Sequence, residues 1–128
     1  MKQILLVAMG GALGAVARYG AGLAAMRLIG QGIWPWATFG VNLLGGLLIG
    51  LLTGWLATRG PTSGESVRLF AIVGVLGGFT TFSAFSLEMV QMLERREMAM
   101  AAGYALASVL LSVVAVFIGL IIMRKVFG

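Results

Sequence analysis

The sequence predicts an all-α membrane protein with four transmembrane helices in a single domain. Of its 128 residues, 60% are apolar and only 10% are charged, and the mean hydropathy is +1.05. Four apolar stretches each reach the roughly 20 residues that a helix needs to cross the hydrocarbon core of a bilayer. We place these spans at about residues 3–26, 34–57, 69–92 and 98–122.

The first span lies where a secretory signal peptide is the competing interpretation. Its apolar run exceeds the roughly 7–15 residues of a signal-peptide core and Arg18 interrupts it, so we assign a span. Small residues every four positions allow helix backbones to approach closely in lipid. Arg18 continues that stripe, where it either snorkels to the interface or places a fixed positive charge in an aqueous vestibule. The stripe consists of Gly10, Gly14, Arg18 and Gly22.

The second span follows a connection with glycine, proline and two tryptophans. Trp34 and Trp36 suit the membrane interface, where amphipathic rings settle. The span carries a second stripe, in which an amide side chain is followed by three glycines. The amide of Asn42 is therefore expected to face protein or a cavity rather than lipid. The stripe consists of Asn42, Gly46, Gly50 and Gly54.

The third span is the most informative part of the chain. It follows a polar loop in which Thr62 or Ser63 is a candidate N-cap. Residues 74–86 are dense in glycine, hydroxyls and aromatic rings, and irregular structure at membrane depth survives only when buried or facing a watery cavity. A helix broken at mid-membrane frees carbonyls for a cation and N–H groups for an anion. The segment thus predicts an ion site, with the break at its glycines, Gly74, Gly77 and Gly78.

The fourth span follows a short charged turn at residues 94–97. Short connections imply antiparallel neighbouring helices, which predicts a compact four-helix unit. Ser108 and Ser112 lie four residues apart and therefore form a hydroxyl row on one face of this span.

Several side chains of the third span could line a path for a small anion. Phe82 and Phe85 share one helix face. Phenylalanines at this spacing usually pack in a core, and hydroxyls in a span usually bond to their own helix backbone. Here both occur together with Asn42 and without a carboxylate, so ring edges, hydroxyls and an amide could replace the anion's water shell. The hydroxyls of the third span are Thr80, Thr81, Ser83 and Ser86.

A cation site and an acidic residue are also expected in the third span. Carbonyls freed at Gly77 and Thr80 could bind a hard cation, which prefers oxygen ligands. Glu88 lies three residues beyond Phe85, and an ionisable residue in a span is by default a functional hypothesis.

The composition excludes several classes of function. The absence of cysteine and histidine removes disulfides, thiol chemistry and the usual transition-metal ligands. The four acidic residues form no base–nucleophile pair, so no enzyme is predicted. The net charge of +5 is scattered along the chain. Basic ends of membrane helices explain this charge better than nucleic-acid binding does.

The charge distribution gives only a weak topological bias. Four spans place both termini and the loop of residues 59–68 on one side of the membrane. Such asymmetry normally fixes orientation, and here it is compatible with insertion in both orientations or with the termini inside. Five basic residues, Lys2, Arg59, Arg68, Arg124 and Lys125, lie on that side, and three, Arg27, Arg95 and Arg96, lie on the other.

These motifs resemble the Fluc (CrcB) family of fluoride channels. The resemblance rests on Gly-Gly-Phe-Thr-Thr-Phe-Ser-Ala-Phe-Ser from Gly77 to Ser86, on Val-Asn-Leu-Leu-Gly from Val41, and on Gly-Ala-Val-Ala-Arg ending at Arg18. It extends over the whole chain in length, span count and motif order. The Thr-Thr-Phe-Ser-x-Phe-Ser core is highly specific, whereas the glycines are not.

The resemblance implies a fluoride-selective passive channel that exports toxic fluoride from the cytoplasm across the cell membrane. It implies an antiparallel, dual-topology homodimer with two pores. Phe82 and Phe85 would contribute ring edges to the pore, and Asn42 would contribute a donor. The candidates for the polar lining are Thr81, Ser83, Ser108 and Ser112.

The resemblance also implies a structural sodium ion at the centre of the dimer. Gly77 and Thr80 of each subunit would offer their main-chain carbonyls to it. Arg18 matches the family's first-span arginine, and Glu88 matches its acid beyond the second phenylalanine, so both are candidate vestibule or polar residues. Ala37 and Val116 depart from the pattern, since the family has a glycine at the first position and can have a hydroxyl at the second.

Two other classes of function stay open at this point. A small dual-topology exporter of cationic drugs should carry an acid in its first span to exchange protons for cations, but the only charge there is Arg18. A non-transporting membrane assembly subunit would need only the glycine stripes, which leaves Asn42 and the hydroxyl rows unexplained.

Overall fold

The computed structural model describes residues 1–59 and 64–128, and the described ranges consist of helices joined by short turns. Helix α1 spans Lys2–Leu28 and α2 spans Trp36–Ala57. The third span comprises two helical segments: α3, residues 65–79, and α4, Phe82–Glu94. Helix α5 spans Met98–Phe127.

Four helices in these ranges are long and apolar enough to cross a membrane, which confirms the predicted all-α, four-span class. The candidate N-caps Thr62 and Ser63 lie outside the described residues.

The helices end where the local backbone forces a turn. Beyond α1 the N–H groups of Ile29 and Gly30 both donate to the carbonyl of Ala25, and Gly30 has φ +82°. Glycine adopts this left-handed conformation without steric cost. Beyond α4 the N–H of Glu97 donates to the Met92 carbonyl at 2.9 Å, which is the outer bond of a Schellman cap. These turns fold consecutive helices back on each other.

The first half of the third span has an unusual hydrogen-bond pattern. Arg68–Leu76 is π-helical, flanked by one α-helical turn on each side, Glu65–Val67 and Gly77–Phe79. The N–H of Gly77 accordingly donates to the carbonyl of Ile72, five residues earlier. Long π-helices are rare and mark functional sites more often than chance. This one leads directly into the segment that we predicted to hold an ion site.

Two glycine seams hold the helices together in pairs. Gly10 and Gly14 pack α1 against α3, where a Cβ on Gly14 would collide with the carbonyl oxygen of Val75. Gly50 packs α2 against α5 in the same manner, with the carbonyl of Val116 against it. The predicted stripes are therefore seams over most of their length. Gly22 is the exception, since a Cβ there would have no neighbour within 4 Å.

The main cluster of buried apolar side chains is small and lies near the turn between α4 and α5. Met92, Ala101 and Tyr104 are its fully buried members, and Trp34 and Phe85 pack against them. Large apolar side chains otherwise cover the outer surfaces of the helices, as expected of helices that face lipid. The core thus fixes one end of the bundle, while the glycine seams fix its middle.

We expect Gly14→Ala to destabilise the protein and Gly22→Ala to leave its stability nearly unchanged. The added methyl at position 14 meets the backbone of α3, and overpacking of this kind costs about 1–3 kcal/mol. The two glycines belong to the same helix and the same stripe, so they form a matched pair. Thermal unfolding of both variants in detergent tests this, and equal midpoints would contradict the seam.

Candidate ion site

The third span is broken at Thr80 and Thr81, and both residues have extended backbones. Their φ/ψ values are −84°/155° and −150°/118°. The predicted break at Gly74, Gly77 and Gly78 is thus placed too early, because those glycines are helical. Gly74 and Gly78 serve close packing against α1 instead. Threonine suits the extended conformation, since its branched side chain favours the β region.

A side chain of α2 satisfies the backbone at the break. The Nδ2 of Asn42 donates to the Thr81 carbonyl at 3.0 Å, and the Thr81 N–H donates to Oδ1 of Asn42 at 2.8 Å. The asparagine amide thus pairs with the main chain as a neighbouring strand would. In an uninterrupted helix the Thr81 N–H would donate to Gly77, four residues earlier. Asn42 replaces that bond at membrane depth, where an unpaired group is costly.

Arg18, a residue of α1, pairs with a second backbone group at the break, the carbonyl of Gly78. The Nε of Arg18 donates to the carbonyl of Gly78 at 3.1 Å. In an unbroken helix that carbonyl would accept from the N–H of Phe82. The half-buried guanidinium of Arg18 is therefore tied to the break by a charge-assisted bond rather than extending to the membrane surface.

The hydroxyls around the break mostly serve the local backbone. Thr80 Oγ1 donates to the Leu76 carbonyl at 2.8 Å, and Thr81 Oγ1 caps α4 by accepting from the N–H of Ala84 at 3.1 Å. Ser83 Oγ lies 3.2 Å from Thr81 Oγ1. Ser86 Oγ donates to the carbonyl of Phe82 at 2.9 Å. The rim of the break is thereby fixed, and its N-terminal cap orients the start of α4.

A pocket of about 350 Å³ opens beside the break, between α2, α4 and α5. Its lining includes no Asp or Glu. Phe82 is 77% exposed in the single chain, and its ring centroid lies 5.6 Å from that of Phe85. Ser83 is absent from the lining, while Val116, one of the departures from the family pattern, belongs to it. The pocket brings together six of the predicted pore residues: Asn42, Thr81, Phe82, Phe85, Ser108 and Ser112.

The polar row continues beyond the pocket toward the small core. Ser108 is buried, and its Oγ has no hydrogen-bond partner among the described residues. The same holds for the hydroxyl of Tyr104, one turn earlier on α5, and for Oε1 of Glu88. The carboxyl of Glu88 lies beside the hydroxyls of Tyr104 and Thr38. Buried polar atoms without protein partners mark places where a ligand or water is expected.

The sequence analysis missed Tyr104 and Thr38 as parts of this row. Tyr104 precedes Ser108 by four residues, as Ser108 precedes Ser112, so the spacing signal for it was present. No comparable signal marks Thr38, because only the packing of α2 against α4 and α5 brings it to Glu88. Arg18 and Glu88, predicted together as vestibule or polar residues, have different surroundings, one at the break and the other beside Tyr104.

The break also presents main-chain oxygens that could hold a cation. The Gly77 carbonyl lacks its usual helical donor, because the Thr81 N–H is engaged by Asn42. Gly77 is exposed, and Thr80 lies outside both flanking helices. The described ranges contain no cluster of three or more acidic or histidine side chains, so a cation there would depend on carbonyls. Hard alkali and alkaline-earth cations prefer such oxygen ligands.

The fold and the site together define a class of small membrane protein, a four-span bundle with a candidate ion site at a broken helix. The family model described as CrcB-like protein, Camphor Resistance (CrcB), matches residues 5–120. The chain belongs to this family. It is accordingly a multi-pass protein of the cell membrane.

Relatives that share the whole length of the chain carry the name fluoride-specific ion channel FluC. One from Caulobacter vibrioides strain NA1000 / CB15N is 56% identical over 128 residues, covering 100% of both chains. One from Caulobacter sp. strain K31 is 58% identical, covering 100% of this chain and 99% of its own. One from Agrobacterium fabrum is 50% identical over 127 residues, covering 99% of this chain and 100% of its own. The name denotes a channel rather than an enzyme, in agreement with the sequence analysis.

We expect Asn42→Ala to loosen the break. Removal of the amide leaves both polar groups of the Thr81 backbone unpaired, at about 1–3 kcal/mol each. Hydrogen–deuterium exchange of the peptide that contains Thr81 should accelerate, and the apparent unfolding temperature should fall. Ser86→Ala is the matched control, since its hydroxyl bonds only to its own helix. Unchanged exchange at Thr81 in Asn42→Ala would show that the pairing does not hold the break.

Proposed function

We propose that the chain is a fluoride-selective passive channel that releases fluoride from the cytoplasm and so relieves fluoride toxicity. The observation that carries the proposal is the pocket beside the break, where an amide, two serines and two phenylalanine rings converge without a carboxylate. Full-length relatives named fluoride-specific ion channel support it.

The donor set suits a small, strongly hydrated anion. Asn42 uses one N–H and its oxygen on Thr81, which leaves its second N–H free to donate. Ser108 Oγ is buried without a partner, so its proton is available as well. Phe82 and Phe85 add the positive edges of their rings. Conduction requires binding that is strong enough for entry and weak enough for exit. Neutral donors meet this requirement better than a fixed positive charge in the pocket.

We further propose that two copies associate in antiparallel orientation. Phe82 is 77% exposed in one protomer, and the pocket that it lines is open. A second copy would cover that ring and enclose the pocket, giving one pore on each side of the interface. The weak bias of five basic residues against three is compatible with insertion in both orientations.

A structural sodium ion is part of this proposal. The Gly77 and Thr80 carbonyls of two copies would offer four main-chain oxygens to it, a donor type that a hard cation accepts. The ion would supply a fixed positive charge that ties the two broken helices together. What supports it is Gly77, an exposed residue whose carbonyl lacks its usual helical donor because Asn42 engages the Thr81 N–H.

The cation exporter is disfavoured by α1. The helix contains no Asp or Glu that could exchange a proton for a cationic drug, and its mid-span charge is Arg18, which has the wrong sign. The assembly subunit leaves the unpartnered Ser108 hydroxyl and the open pocket without a role.

Fluoride efflux from liposomes that contain the purified protein tests the channel directly. We expect rapid fluoride release, read with a fluoride electrode, and no chloride release in parallel vesicles. Release of neither ion from a folded dimer would overturn the proposal and favour the assembly subunit.

The two phenylalanines provide a sharper test of the pathway. We expect Phe82→Ala and Phe85→Ala to abolish fluoride flux while the dimer still assembles, because each removes a ring edge from the pocket. Phe117→Ala is the matched control, since that ring is exposed on α5 and lies outside the pocket. Size-exclusion chromatography would establish assembly, and wild-type flux in both pocket variants would exclude the assigned path.

Replacement of sodium by a larger organic cation tests the proposed cation site. If Gly77 and Thr80 hold sodium, fluoride flux or the thermal stability of the dimer should fall when N-methylglucamine is the sole cation. Potassium and lithium series at equal ionic strength would separate ion size from salt screening. A flux and a stability that are independent of the cation would count against the site.

A further inference from the structure

A second pocket, which the proposed path through the break does not use, lies at the other end of the polar row. It has a volume of about 550 Å³ and lies between the end of α1, the connection to α2 and the end of α4. Trp34, Gln91 and Arg95 are among its lining residues. Its walls therefore include an amide and a guanidinium, which are hydrogen-bond donors, and the aromatic ring of Trp34.

The row of unpartnered polar atoms leads to this pocket. From Ser112 to Tyr104 the row descends α5 by eight residues, which is about 12 Å along the helix axis. The ring of Trp34 meets Tyr104 edge-on, with centroids 5.2 Å apart. The indole Nε1 of Trp34 is itself buried and has no hydrogen-bond partner among the described residues. Unpartnered buried atoms thus continue from Ser108 through Tyr104 to Trp34, and Trp34 borders the second pocket.

The charges around this route have a consistent arrangement. Glu88 lies beside Tyr104 on the route, and its carboxyl group would oppose the passage of an anion when it is ionised. Beyond it, toward the surface, Arg95 is about half exposed at the second pocket. Its Nε pairs with Oε1 of Glu97 at 3.2 Å, and among the described residues its two terminal nitrogens have no hydrogen-bond partner, so they could donate to an anion. Arg95 would thus attract an anion on the solvent side of Glu88.

We propose that the second pocket is the other mouth of the anion pathway, where the Trp34 indole N–H hands the anion between Tyr104 and the pocket and Arg95 attracts it from solution. This inference rests on the proposed fluoride channel and adds its second opening. Each pathway then runs from the break at mid-membrane, along one face of α5, to the turn between α4 and α5. Two positions gain roles in conduction that the sequence analysis did not assign, Trp34 and Arg95.

Trp34→Phe tests the indole donor. The substitution keeps an aromatic ring against Tyr104 but removes the N–H, and we expect fluoride efflux from liposomes to slow about tenfold, the effect of one lost bond to an ion. Trp55→Phe is the control, because Trp55 is outside both pockets. A Trp34→Phe protein that elutes as wild type and conducts as fast as Trp55→Phe would overturn the role of Trp34.

Arg95→Gln tests the attraction through the salt dependence of fluoride efflux, which would not change if Arg95 served only in packing. We expect efflux to slow several-fold at low ionic strength and to approach the wild-type rate at high salt, because salt screens long-range attraction. Arg124→Gln, at the far end of α5 and outside both pockets, should conduct as wild type at every salt concentration. An Arg95 variant that is slow to the same degree at all salt concentrations would overturn the steering role.

The pocket itself is tested by chemical modification. The chain has no cysteine, so Gln91→Cys introduces a single thiol at the second pocket. We expect modification with a sulfonate-bearing methanethiosulfonate to slow fluoride efflux more than modification with its trimethylammonium counterpart, since a fixed negative charge repels the anion. Glu94→Cys, exposed nearby but outside the pocket, is the control.

The outcomes separate this inference from the proposed function. A wild-type protein that releases no fluoride would overturn the channel and this inference together. A wild-type protein that conducts, with Trp34→Phe, Arg95→Gln and modified Gln91→Cys all at wild-type rates, would leave the channel standing and place its second opening elsewhere.

Discussion

The structure depends on one constraint, the pairing of backbone groups where the third span is broken inside the membrane. Lipid offers those groups no partner, so the break exists only because other helices supply one. Asn42 pairs with both polar atoms of Thr81, and Arg18 pairs with the carbonyl of Gly78. These side chains come from α2 and α1, on opposite seams of the bundle. The glycine seams are therefore a requirement of the break, since they bring both helices close enough to reach it.

The same pairing links architecture to chemistry. Because Asn42 takes over the N–H of Thr81, the carbonyl of Gly77 is left without its usual helical donor. Because the helix restarts at Phe82, the two phenylalanines and Thr81, the N-cap of α4, all line the pocket. Asn42 thus lies between the Gly77 carbonyl, which has lost its helical donor, and the hydrogen-bond donors that line the pocket. A cation and an anion can be served by neighbouring residues without competing for the same groups.

Much of this arrangement could be predicted from the sequence, for identifiable reasons. The length of each apolar stretch defines a span. The site is marked by the polar residues that interrupt the spans, Asn42 and the hydroxyls after Phe79, because polar groups inside a membrane are costly and usually functional. The predicted position of the break was wrong by a few residues. Glycine permits both a break and a close contact between helices, and only the packing partner decides between them. The π-helical turns have no residue signature. Thr38 and Trp34 come to the polar row through contacts between helices, which a one-dimensional pattern does not contain.

The absence of titratable side chains from the pocket at the break has a consequence for regulation. Its described lining consists of an amide, hydroxyls, aromatic rings, glycines and aliphatic side chains. None of these groups gains or loses a proton near neutrality, and none undergoes thiol redox chemistry. Proton or redox equilibria of its own lining groups therefore do not alter the charge of this pocket near neutrality. In the proposed channel, a direct response to acidification would therefore have to come from Glu88, which lies beside Tyr104 and outside this pocket.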